Sequence, residues 1–414
     1  MHDMEVHVDL NGRTQPVGLL RRLVRGRSDT VTFEYVDAWL EDHNRFALEP
    51  ALQLTPGVFS PSNRGLFGSI GDSAPDTWGR QLMRRAERAS ADRENRTVRT
   101  LGEVDYLLGV TDVARPGALR FRRVGEAVFQ APANTGVPAL VELPRLLRVT
   151  ERMMRNEETA EDLRLILAPG SSLGGARPKS SVIEGQGQLS IAKFPKESDE
   201  YDLESWEEVA LRLAERAGIE TPHHGLITVL GQPVLLSRRF DRAGAIRIPF
   251  LSALAMTDAS DGDRGSYPEL VDALARHGAT PKSDAVALFR RMAFNVLVSN
   301  VDDHLRNHGF VLRDQTGWTL SPAYDLNPTP TDVKARILST NIDLDEGTCS
   351  IDLVESSAAY FGMRLDRARE VLREVADATK QWRDVACEVG IRSAQIERMA
   401  SAFEHDDLVA ALAL

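Results

Sequence analysis

The sequence predicts an α+β protein of two lobes, in which a β-rich N-lobe begins with an extra small sheet subdomain and an all-helical C-lobe follows. Alternating apolar residues and turn signals recur in residues 1–40 and 179–238, as in half-buried strands. Beyond Ala243, apolar residues instead recur at three- and four-residue spacing, as on helices. The length of 414 residues also exceeds the usual size of one hydrophobic core. We therefore expect three segments, residues 1–138, 139–243 and 244–414.

The composition is that of an ordinary folded protein, with 42% hydrophobic and 27% charged residues. A formal net charge of -11 argues against direct coating of nucleic acid, because that affinity comes from Lys and Arg on phosphates. Any DNA contact is expected to come through a partner. The two cysteines, Cys349 and Cys387, lack the spacing of a zinc site or a disulfide framework. Without a signal-like N-terminus or a long apolar run, we expect a cytoplasmic protein with no membrane association.

The first forty residues predict a small antiparallel sheet. Apolar residues alternate from Glu5 to Asp9, and Asn11-Gly12 is a strong hairpin turn signal. Val17 to Leu20 resumes the apolar pattern, and Val31 to Tyr35 alternates again. We expect the sheet to end near Trp39-Leu40.

A helix is predicted from Asp76 to about Ala89, after a stretch broken by Pro and Gly. It carries a basic cluster that could contact a phosphate or an acidic partner, although a solvated helix face is the favoured interpretation. The members of this cluster are Arg80, Arg84, Arg85 and Arg88. A short strand is predicted from Ala118 to Arg122, and a helical pattern runs from Leu140 to Leu167.

A loop of small residues follows that helical pattern and leads from Gly170 into a strand at Lys179. A second strand, Leu189 to Lys193, comes after a Gly-Gln-Gly turn. Backbone N–H groups of small residues held between strands can wrap nucleotide phosphates, and the two lysines would supply positive charge. The loop is not a Walker A motif, because Gly175 is followed by Ala176 instead of Lys.

Two other interpretations of the loop stay open. Gly170 to Gly174 matches the Gly-x-Ser-x-Gly pattern of a hydrolase nucleophile elbow. That elbow needs a strand before it and a helix after it, whereas here a helix precedes and a strand follows. A purely structural glycine loop is the second possibility.

Asp202 to Ala217 is predicted as a helix with Gly218 at its C-terminal end. Glu207 shares a side of the first turn with apolar residues, so its carboxylate could point inward and pair with Lys193. The alternative is a solvated glutamate beside other acidic residues. Two strands follow around Gly231, and residues 238–242 form an Arg-rich connector.

The C-terminal half is mostly helical in pattern. A short hairpin is predicted over residues 309–320, just before Asp325. Helices are predicted at Tyr267 to His277, Asp284 to Ser299, Leu365 to Thr379, Trp382 to Val389 and Ser393 to Phe403.

The residues from Asn300 to Asp325 combine carboxylates, amides and a histidine just after a helix predicted to be buried. Phosphoryl transfer needs a carboxylate near the acceptor hydroxyl and oxygen ligands that hold magnesium on the phosphates. In protein kinases the base precedes the metal-binding amide in an Asp-x4-Asn arrangement, and a metal-binding aspartate follows. Asp302 and Asn307 have this spacing, and Asp325 arrives after the hairpin. These residues predict the floor of a phosphoryl-transfer site.

Two alternatives concern the same cluster. Asp302, His304 and Asp325 could ligate a transition metal in a phosphohydrolase, although such sites usually recruit several more His or carboxylate ligands. Asp303 could replace Asp302 as the base, but only Asp302 has the required spacing to Asn307. We expect Asp303 to be a solvated or capping carboxylate and His304 to be a supporting residue.

The ordered set of motifs resembles the HipA-type toxin kinases, bacterial serine/threonine kinases of toxin-antitoxin systems, over nearly the whole chain. The motifs are Phe33-Glu-Tyr35, Trp39-Leu40, Asp76-Thr-Trp-Gly-Arg, Ser172-Leu-Gly-Gly-Ala-Arg-Pro-Lys179, Ala192-Lys193-Phe-Pro, Arg239-Phe-Asp-Arg242, Asp302-x-His-x-x-Asn307 and Tyr324-Asp325. The resemblance implies a two-lobed kinase-like fold that uses ATP and Mg2+.

The resemblance also implies roles for individual residues. Asp302 would be the catalytic base, Asn307 and Asp325 the magnesium ligands, and Lys193 the lysine on the ATP phosphates. Glu207 would belong to the helix that orients Lys193. The phosphate loop would comprise Leu173, Gly174, Gly175, Ala176 and Lys179, and the hinge beside adenine would comprise Arg239, Phe240 and Asp241. Ser172 would be an autophosphorylated serine, which gives the Gly-x-Ser-x-Gly match a different meaning.

Members of this family phosphorylate aminoacyl-tRNA synthetases and are held by a helix-turn-helix antitoxin that binds operator DNA. The resemblance therefore implies these partners here. Two departures affect nucleotide and substrate contacts: Arg238 replaces a common acidic residue, and residues 249–254 replace a Glu-Asp pair. A second functional hypothesis is a catalytically silent subunit that binds the antitoxin and modulates its DNA binding.

Overall fold

The computed structural model describes residues 3–25, 28–62, 65–130, 137–167, 175–314 and 316–414. The chain divides into two compact units. The first unit comprises Met1–Ser198 and Thr228–Leu251, and the second comprises Asp199–Ile227 and Ser252–Leu414.

The strands are β1 (Met4–Leu10), β2 (Arg13–Arg25), β3 (Ser28–Tyr35), β4 (Val58–Phe59), β5 (Leu119–Arg123), β6 (Lys179–Ile183), β7 (Leu189–Lys193), β8 (His224–Val229), β9 (Gln232–Arg238), β10 (Arg242–Ala243), β11 (Ile246–Arg247), β12 (Phe250–Ser252), β13 (Gly309–Val311) and β14 (Thr319–Leu320). The helices are α1 (Asp37–Glu41), α2 (Gly68–Gly71), α3 (Thr77–Arg93), α4 (Glu103–Leu108), α5 (Leu143–Met154), α6 (Ala160–Leu167), α7 (Leu203–Arg216), α8 (Ala253–Met256), α9 (Tyr267–His277), α10 (Pro281–Leu297), α11 (Ile351–Ser357), α12 (Leu365–Thr379), α13 (Trp382–Val389), α14 (Ser393–Phe403) and α15 (Asp406–Ala413).

The first unit opens with an antiparallel sheet in the strand order β4-β3-β2-β1-β5. Asn11 and Gly12 join β1 to β2 with positive φ angles of 52° and 77°, as the Asn-Gly signal predicts. The predicted strand after Ala118 is confirmed as β5, and it pairs with β1 across the sequence, Val6 opposite Phe121. The sheet does not end at Trp39-Leu40, because this dipeptide lies in helix α1, where the indole of Trp39 is buried in the core of the sheet.

Helix α3 begins as predicted and extends to Arg93. The basic cluster on this helix is not simply a solvated face, because two of its arginines make half-buried ion pairs. Arg80 binds Glu103 through two bonds of 2.6 and 2.7 Å, and Arg85 binds Glu158 at 2.8 Å. Glu103 begins α4, a helix that the sequence pattern did not predict.

The helical pattern from Leu140 to Leu167 forms two helices, α5 and α6, rather than one. Asn156 lies between them with a φ of 58°, a left-handed conformation that ends α5. Apolar side chains of both helices pack against Trp78 and Leu82 of α3 in a small core. This core fixes α3 beside the helix that precedes the small-residue loop.

The second sheet of the first unit contains β6, β7 and β9 as antiparallel neighbours, and Lys179 lies directly opposite Lys193. Leu230 and Gly231 form the predicted turn before β9, both with positive φ. The two strands predicted after the small-residue loop are therefore confirmed as β6 and β7.

The second unit is mainly helical and includes the predicted hairpin of β13 and β14. Helix α10 is buried along most of its length. Trp206 of α7 packs beside Trp382, whose ring stacks on Phe403 with centroids 4.7 Å apart. The predicted bounds of α12, α13 and α14 are confirmed, whereas α15 was not predicted.

These features confirm the α+β class, with a β-rich first unit and a mainly helical second unit. In the described part of the chain, no helix combines the length and the hydrophobicity needed to cross a membrane.

Candidate active site

The segment after α10 turns sharply and presents Asp302 to solvent. Ser299 has a φ of 53°, and Asn300 donates through Nδ2 to Oδ1 of Asn295 at 3.0 Å, which ties the turn to the preceding helix. The side chain of Asp302 is 64% exposed, and its Oδ1 lies 3.7 Å from Nζ of Lys334. Asp302 thus offers the accessible carboxylate that a general base needs.

Asp303 has the opposite surroundings, with only 1% of the residue exposed. Its carboxylate accepts hydrogen bonds from the hydroxyl of Tyr267 at 2.8 Å and from the main-chain N–H groups of Ser339 and Thr340 at 2.9 and 3.2 Å. The expectation of a solvated or capping carboxylate is wrong, because a buried charge must find donors inside the protein. Of the two neighbours, Asp302 is the one accessible to a substrate.

The side chain of Asn307 uses its nitrogen in a hydrogen bond, whereas its oxygen has no partner among the described residues. It ends the 3₁₀ turn Leu305–Asn307 and is 5% exposed. Its Nδ2 donates to the main-chain carbonyl oxygen of Asp302 at 2.8 Å. Its Oδ1 is buried and has no hydrogen-bond partner among the described residues. A buried acceptor of this kind is available to bind an ion, a water molecule or another ligand.

The segment carrying Asp325 is fastened to the same turn. The hydroxyl of Tyr324 donates to the carbonyl oxygen of Arg306 at 2.8 Å, and the N–H of Asn327 donates to Oδ1 of Asn300 at 3.0 Å. Asp325 itself has a φ of 58°, a left-handed conformation that L-residues other than Asn and Asp rarely adopt. The fold therefore brings the segments of Asp302, Asn307 and Asp325 together within the second unit.

His304 precedes the 3₁₀ turn as its N-cap residue, and its carbonyl oxygen accepts a hydrogen bond from the N–H of Asn307 at 2.7 Å. The main chain of His304 thus helps to form the turn that carries Asn307. Among the described residues, no group of three or more His, Cys, Asp and Glu side chains is arranged to hold a metal ion.

The small-residue loop falls partly outside the described residues, and Ser172, Leu173 and Gly174 lie there. Gly175 has a φ of 100°, and a Cβ atom at this position would come 2.8 Å from Nζ of Lys179. This positive φ requires glycine, whereas the lysine ammonium lies at the end of a flexible side chain that can move. Ala176 continues the chain toward β6 and is exposed.

The two lysines of this region differ in their surroundings. Nζ of Lys179 lies 3.1 Å from Oδ2 of Asp76, and both side chains are 4% exposed. Lys193, at the end of β7, is half-buried. Lys179 is thus paired with a buried carboxylate of the first unit.

The expected hinge, Arg239 to Asp241, contributes to a buried ionic network of the first unit. Nε of Arg239 donates to Asp241 at 2.7 Å, and the N–H of Gly117 donates to the same carboxylate at 2.7 Å. Burial alone would raise the pKa of Asp241, but the guanidinium groups of Arg239 and Arg242 hold it well below its usual value. The side chains of Arg239 and Asp241 therefore both take part in this network. Phe240 is half-buried, and its ring lies 5.9 Å from that of Phe250.

Three glutamates at the start of α7 are buried: Glu207 is 5% exposed, Glu204 is 2% exposed and Glu208 is 1% exposed. The alternative of a solvated Glu207 is therefore wrong. Glu208 pairs with His224 and Arg212, both at 2.7 Å, which explains how one of these carboxylates is accommodated.

Sequence patterns missed two ion-pair partners of predicted site residues, one in each unit. Lys334 lies in a loop without apolar periodicity, so nothing in the sequence indicates its approach to Asp302. Asp76 was recognisable as the residue before a helix, but its pairing with Lys179 joins positions 103 residues apart in the chain. Only three-dimensional contacts identify both.

Two family models match the chain. Residues 6–105 match the HipA N-terminal domain, and residues 171–382 match the HipA-like C-terminal domain. Among solved structures, HipA of Shewanella oneidensis MR-1, determined in a complex with HipB and operator DNA, aligns with a TM-score of 0.66 and 18% identity. The alignment covers 99% of this chain and 96% of that one.

Two curated relatives come from Sinorhizobium fredii (strain NBRC 101917 / NGR234). The protein named "Putative kinase Y4mE" is 26% identical over 342 residues, which cover 75% of each chain. The protein named "Putative kinase Y4dM" is 31% identical over 162 residues, or 35% of this chain and 39% of that one.

Proposed function

The chain belongs to the HipA family, and we propose that it is an ATP-dependent protein serine/threonine kinase, the toxin of a toxin-antitoxin system. The observation that carries the proposal is the buried Oδ1 of Asn307, which has no hydrogen-bond partner among the described residues, on a side chain whose Nδ2 is bonded to the main chain of the exposed Asp302. A kinase needs both features at this spacing. Two relatives that bear the name of kinases support the same class of reaction.

In the proposed reaction, Asp302 accepts the proton of a serine or threonine hydroxyl as that oxygen attacks the γ-phosphorus of ATP. The bond between the γ-phosphorus and the β,γ-bridging oxygen breaks, and ADP leaves. An exposed carboxylate can reach a hydroxyl on another protein, whereas buried Asp303 cannot.

The donor set also suits magnesium, which prefers oxygen ligands. Oδ1 of Asn307 and the carboxylate of Asp325 would hold it. When bound, Mg2+ would neutralise charge on the ATP phosphates. The amide nitrogen of Asn307 is occupied by the carbonyl oxygen of Asp302, which keeps the amide oxygen directed away from that bond.

The first unit contributes further roles in the proposal, with Lys193 assigned to the ATP phosphates and Gly175 and Ala176 to the phosphate loop. Glu207 belongs to α7 of the second unit, and α7 is assigned as the helix that orients this lysine. Since the side chains of Arg239 and Asp241 are buried in an ionic network, their part in the hinge falls to the main chain and to Phe240.

The proposed partner is a helix-turn-helix antitoxin, through which the chain reaches operator DNA. The HipA of Shewanella oneidensis was solved with HipB and operator DNA, which supports this assignment. The net charge of -11 agrees with indirect rather than direct DNA contact. The proposed target is a translation component such as an aminoacyl-tRNA synthetase, and the proposed autophosphorylation site is Ser172.

Quantitative phosphoproteomics tests the substrate class. Cells expressing the wild-type chain are compared with cells expressing Asp302→Ala, and Asp352→Asn serves as the control because Asp352 is an exposed carboxylate in α11. We expect new phosphoserine or phosphothreonine sites with the wild type and the control only. Identical phosphoproteomes in all three strains would favour the silent antitoxin-binding subunit instead.

A further inference from the structure

The motif Asp76-Thr-Trp-Gly-Arg has no role in the chemistry described above, yet it lies against the phosphate-loop region. Asp76 caps α3, because its Oδ1 accepts a hydrogen bond from the N–H of Gly79 at 2.8 Å. Its Oδ2 lies 3.1 Å from Nζ of Lys179. With 4% of each side chain exposed, this ion pair is shielded from water. One carboxylate thus joins a helix terminus to the start of β6.

Trp78 adds two further bonds to the same stretch. Its main-chain N–H donates to the carbonyl oxygen of Gly175 at 3.3 Å, and its indole Nε1 donates to the carbonyl oxygen of Lys179 at 3.1 Å. Asp76 and Trp78 together bind Gly175 and Lys179. These two residues delimit the segment that joins the loop to β6.

The helix side of the loop is anchored to α3 as well. Leu163 and Ile166 of α6 pack in one small core with Trp78 and Leu82. Helix α3 therefore contacts the element before residues 168–174 and the residues after them. A rigid element that holds both flanks defines where a connecting loop begins and ends.

The ion pair also solves an electrostatic problem. Lys179 and Lys193 are directly opposed on neighbouring strands, which places their Cβ atoms about 5 Å apart, and like charges at such positions repel each other. The carboxylate of Asp76 compensates the charge of Lys179. Lys193 can then be presented to phosphates without an uncompensated cation beside it.

We propose that Asp76 is a positioning residue that tethers the strand-side end of the phosphate loop, from Gly175 to Lys179, to α3, and that Lys179 acts as the tether rather than as a phosphate ligand. This inference rests on the proposed kinase function for its activity readout. It gives the motif a role in holding the residues from Gly175 to Lys179.

The first test is Asp76→Asn, which keeps an oxygen for the N–H of Gly79 but removes the negative charge facing Lys179. The matched control is Glu158→Gln, which removes the charge that pairs with Arg85 on the same helix. We expect kcat/KM for ATP to fall between about tenfold and a hundredfold in Asp76→Asn, because a misplaced loop misaligns the phosphates. The control is expected to keep the wild-type value.

Hydrogen–deuterium exchange of the peptide covering residues 175–183 gives a readout that needs no catalysis. We expect faster exchange in Asp76→Asn and in Trp78→Phe, which lacks the indole donor, than in the wild type and in Glu158→Gln. If the wild type transfers no phosphate, the proposed function fails while this exchange experiment still tests the tether. Unchanged exchange and unchanged ATP kinetics in Asp76→Asn would overturn the inference.

A double-mutant cycle separates a tether from a phosphate ligand. If Lys179 acts through Asp76, the loss in kcat/KM for Asp76→Asn with Lys179→Met equals the loss for Lys179→Met alone. If the losses multiply, Lys179 contacts phosphate independently and the inference is wrong. Thermal unfolding checks that each variant folds. If Lys179→Met does not fold, the exchange rates and ATP kinetics of Asp76→Asn and Trp78→Phe decide between the two roles.

Discussion

Nδ2 of Asn307 donates a 2.8 Å hydrogen bond to the main-chain carbonyl oxygen of Asp302. This bond links the proposed metal ligand to the backbone of the proposed base, so that two residues separated by four others in the sequence take a fixed relation in space. The bond also fixes the orientation of the side-chain amide. Its nitrogen binds the carbonyl oxygen of Asp302, and its buried oxygen is available to a ligand.

Replacement of Asn307 by Ala is expected to remove both functions of this amide. We predict a loss in phosphoryl transfer of at least about a hundredfold, since one preorganised charge-stabilising group is typically worth that much. The Mg2+ concentration needed for half-maximal activity should rise as well. Initial rates over a magnesium titration measure both effects, and an unchanged magnesium dependence would contradict the role as ligand.

Lys334 is predicted to assist transfer by placing a cation beside Asp302. Lys334→Met should lower kcat about tenfold with little change in KM for ATP, because the ammonium stabilises charge that develops during transfer. Lys380→Met is the matched control, since Lys380 also forms an exposed ion pair, with Asp377, outside the site. The difference between the two variants should shrink as salt is raised from about 0.05 to about 0.5 M, because exposed charges are screened. Equal rates for both variants would exclude a role for Lys334.

Asp303→Asn is expected to lower the free energy of unfolding, because Asp303 has a structural role. The buried carboxylate accepts three hydrogen bonds, so we predict a loss of about 2–3 kcal/mol in the free energy of unfolding. Asp302→Asn, at the exposed neighbouring position, should cost less than about 0.5 kcal/mol. Urea denaturation compares the two variants. Equal losses would contradict the contrast between a structural and an accessible carboxylate.

Acid is predicted to weaken the attachment of α15. Nε2 of His405 lies 3.1 Å from the carbonyl oxygen of Leu297, and its Nδ1 accepts from the N–H of Leu408, so the neutral ring uses both nitrogens. Burial, with a smaller contribution from Arg336, lowers the pKa of His405 to about 4 from 6.5. The unfolded chain binds more protons between these values, so this stability is present above about pH 6.5 and is lost as the pH falls toward 4.

His405→Asn, which retains a capping side chain, should flatten the dependence of the free energy of unfolding on pH over this interval. Urea denaturation at several pH values measures it. The exposed His43, replaced by Asn, is the control and should leave the wild-type dependence in place. A wild-type slope in His405→Asn would show that another group is responsible.

Local patterns in the sequence were sufficient where neighbours along the chain determine the structure. Asn11-Gly12 predicted its hairpin, and the spacing from Asp302 to Asn307 predicted two residues that do interact. Contacts between distant segments could not be predicted in this way. The pairing of β5 with β1, the burial of Asp303 and the approach of Lys334 to Asp302 depend on how remote segments pack. The same limit hid the ion pair of Asp76 with Lys179, because the two residues belong to different elements.

Our main proposal is that this chain transfers the γ-phosphoryl group of ATP to protein hydroxyls with Asp302 as the base. The most direct measurement is incorporation of label from γ-labelled ATP into protein by the purified chain and by Asp302→Ala, with Mg2+ present. We predict acid-stable phosphoserine or phosphothreonine with the wild type and a loss of incorporation in the variant. No incorporation by the wild type, or equal incorporation by both proteins, would contradict the proposal.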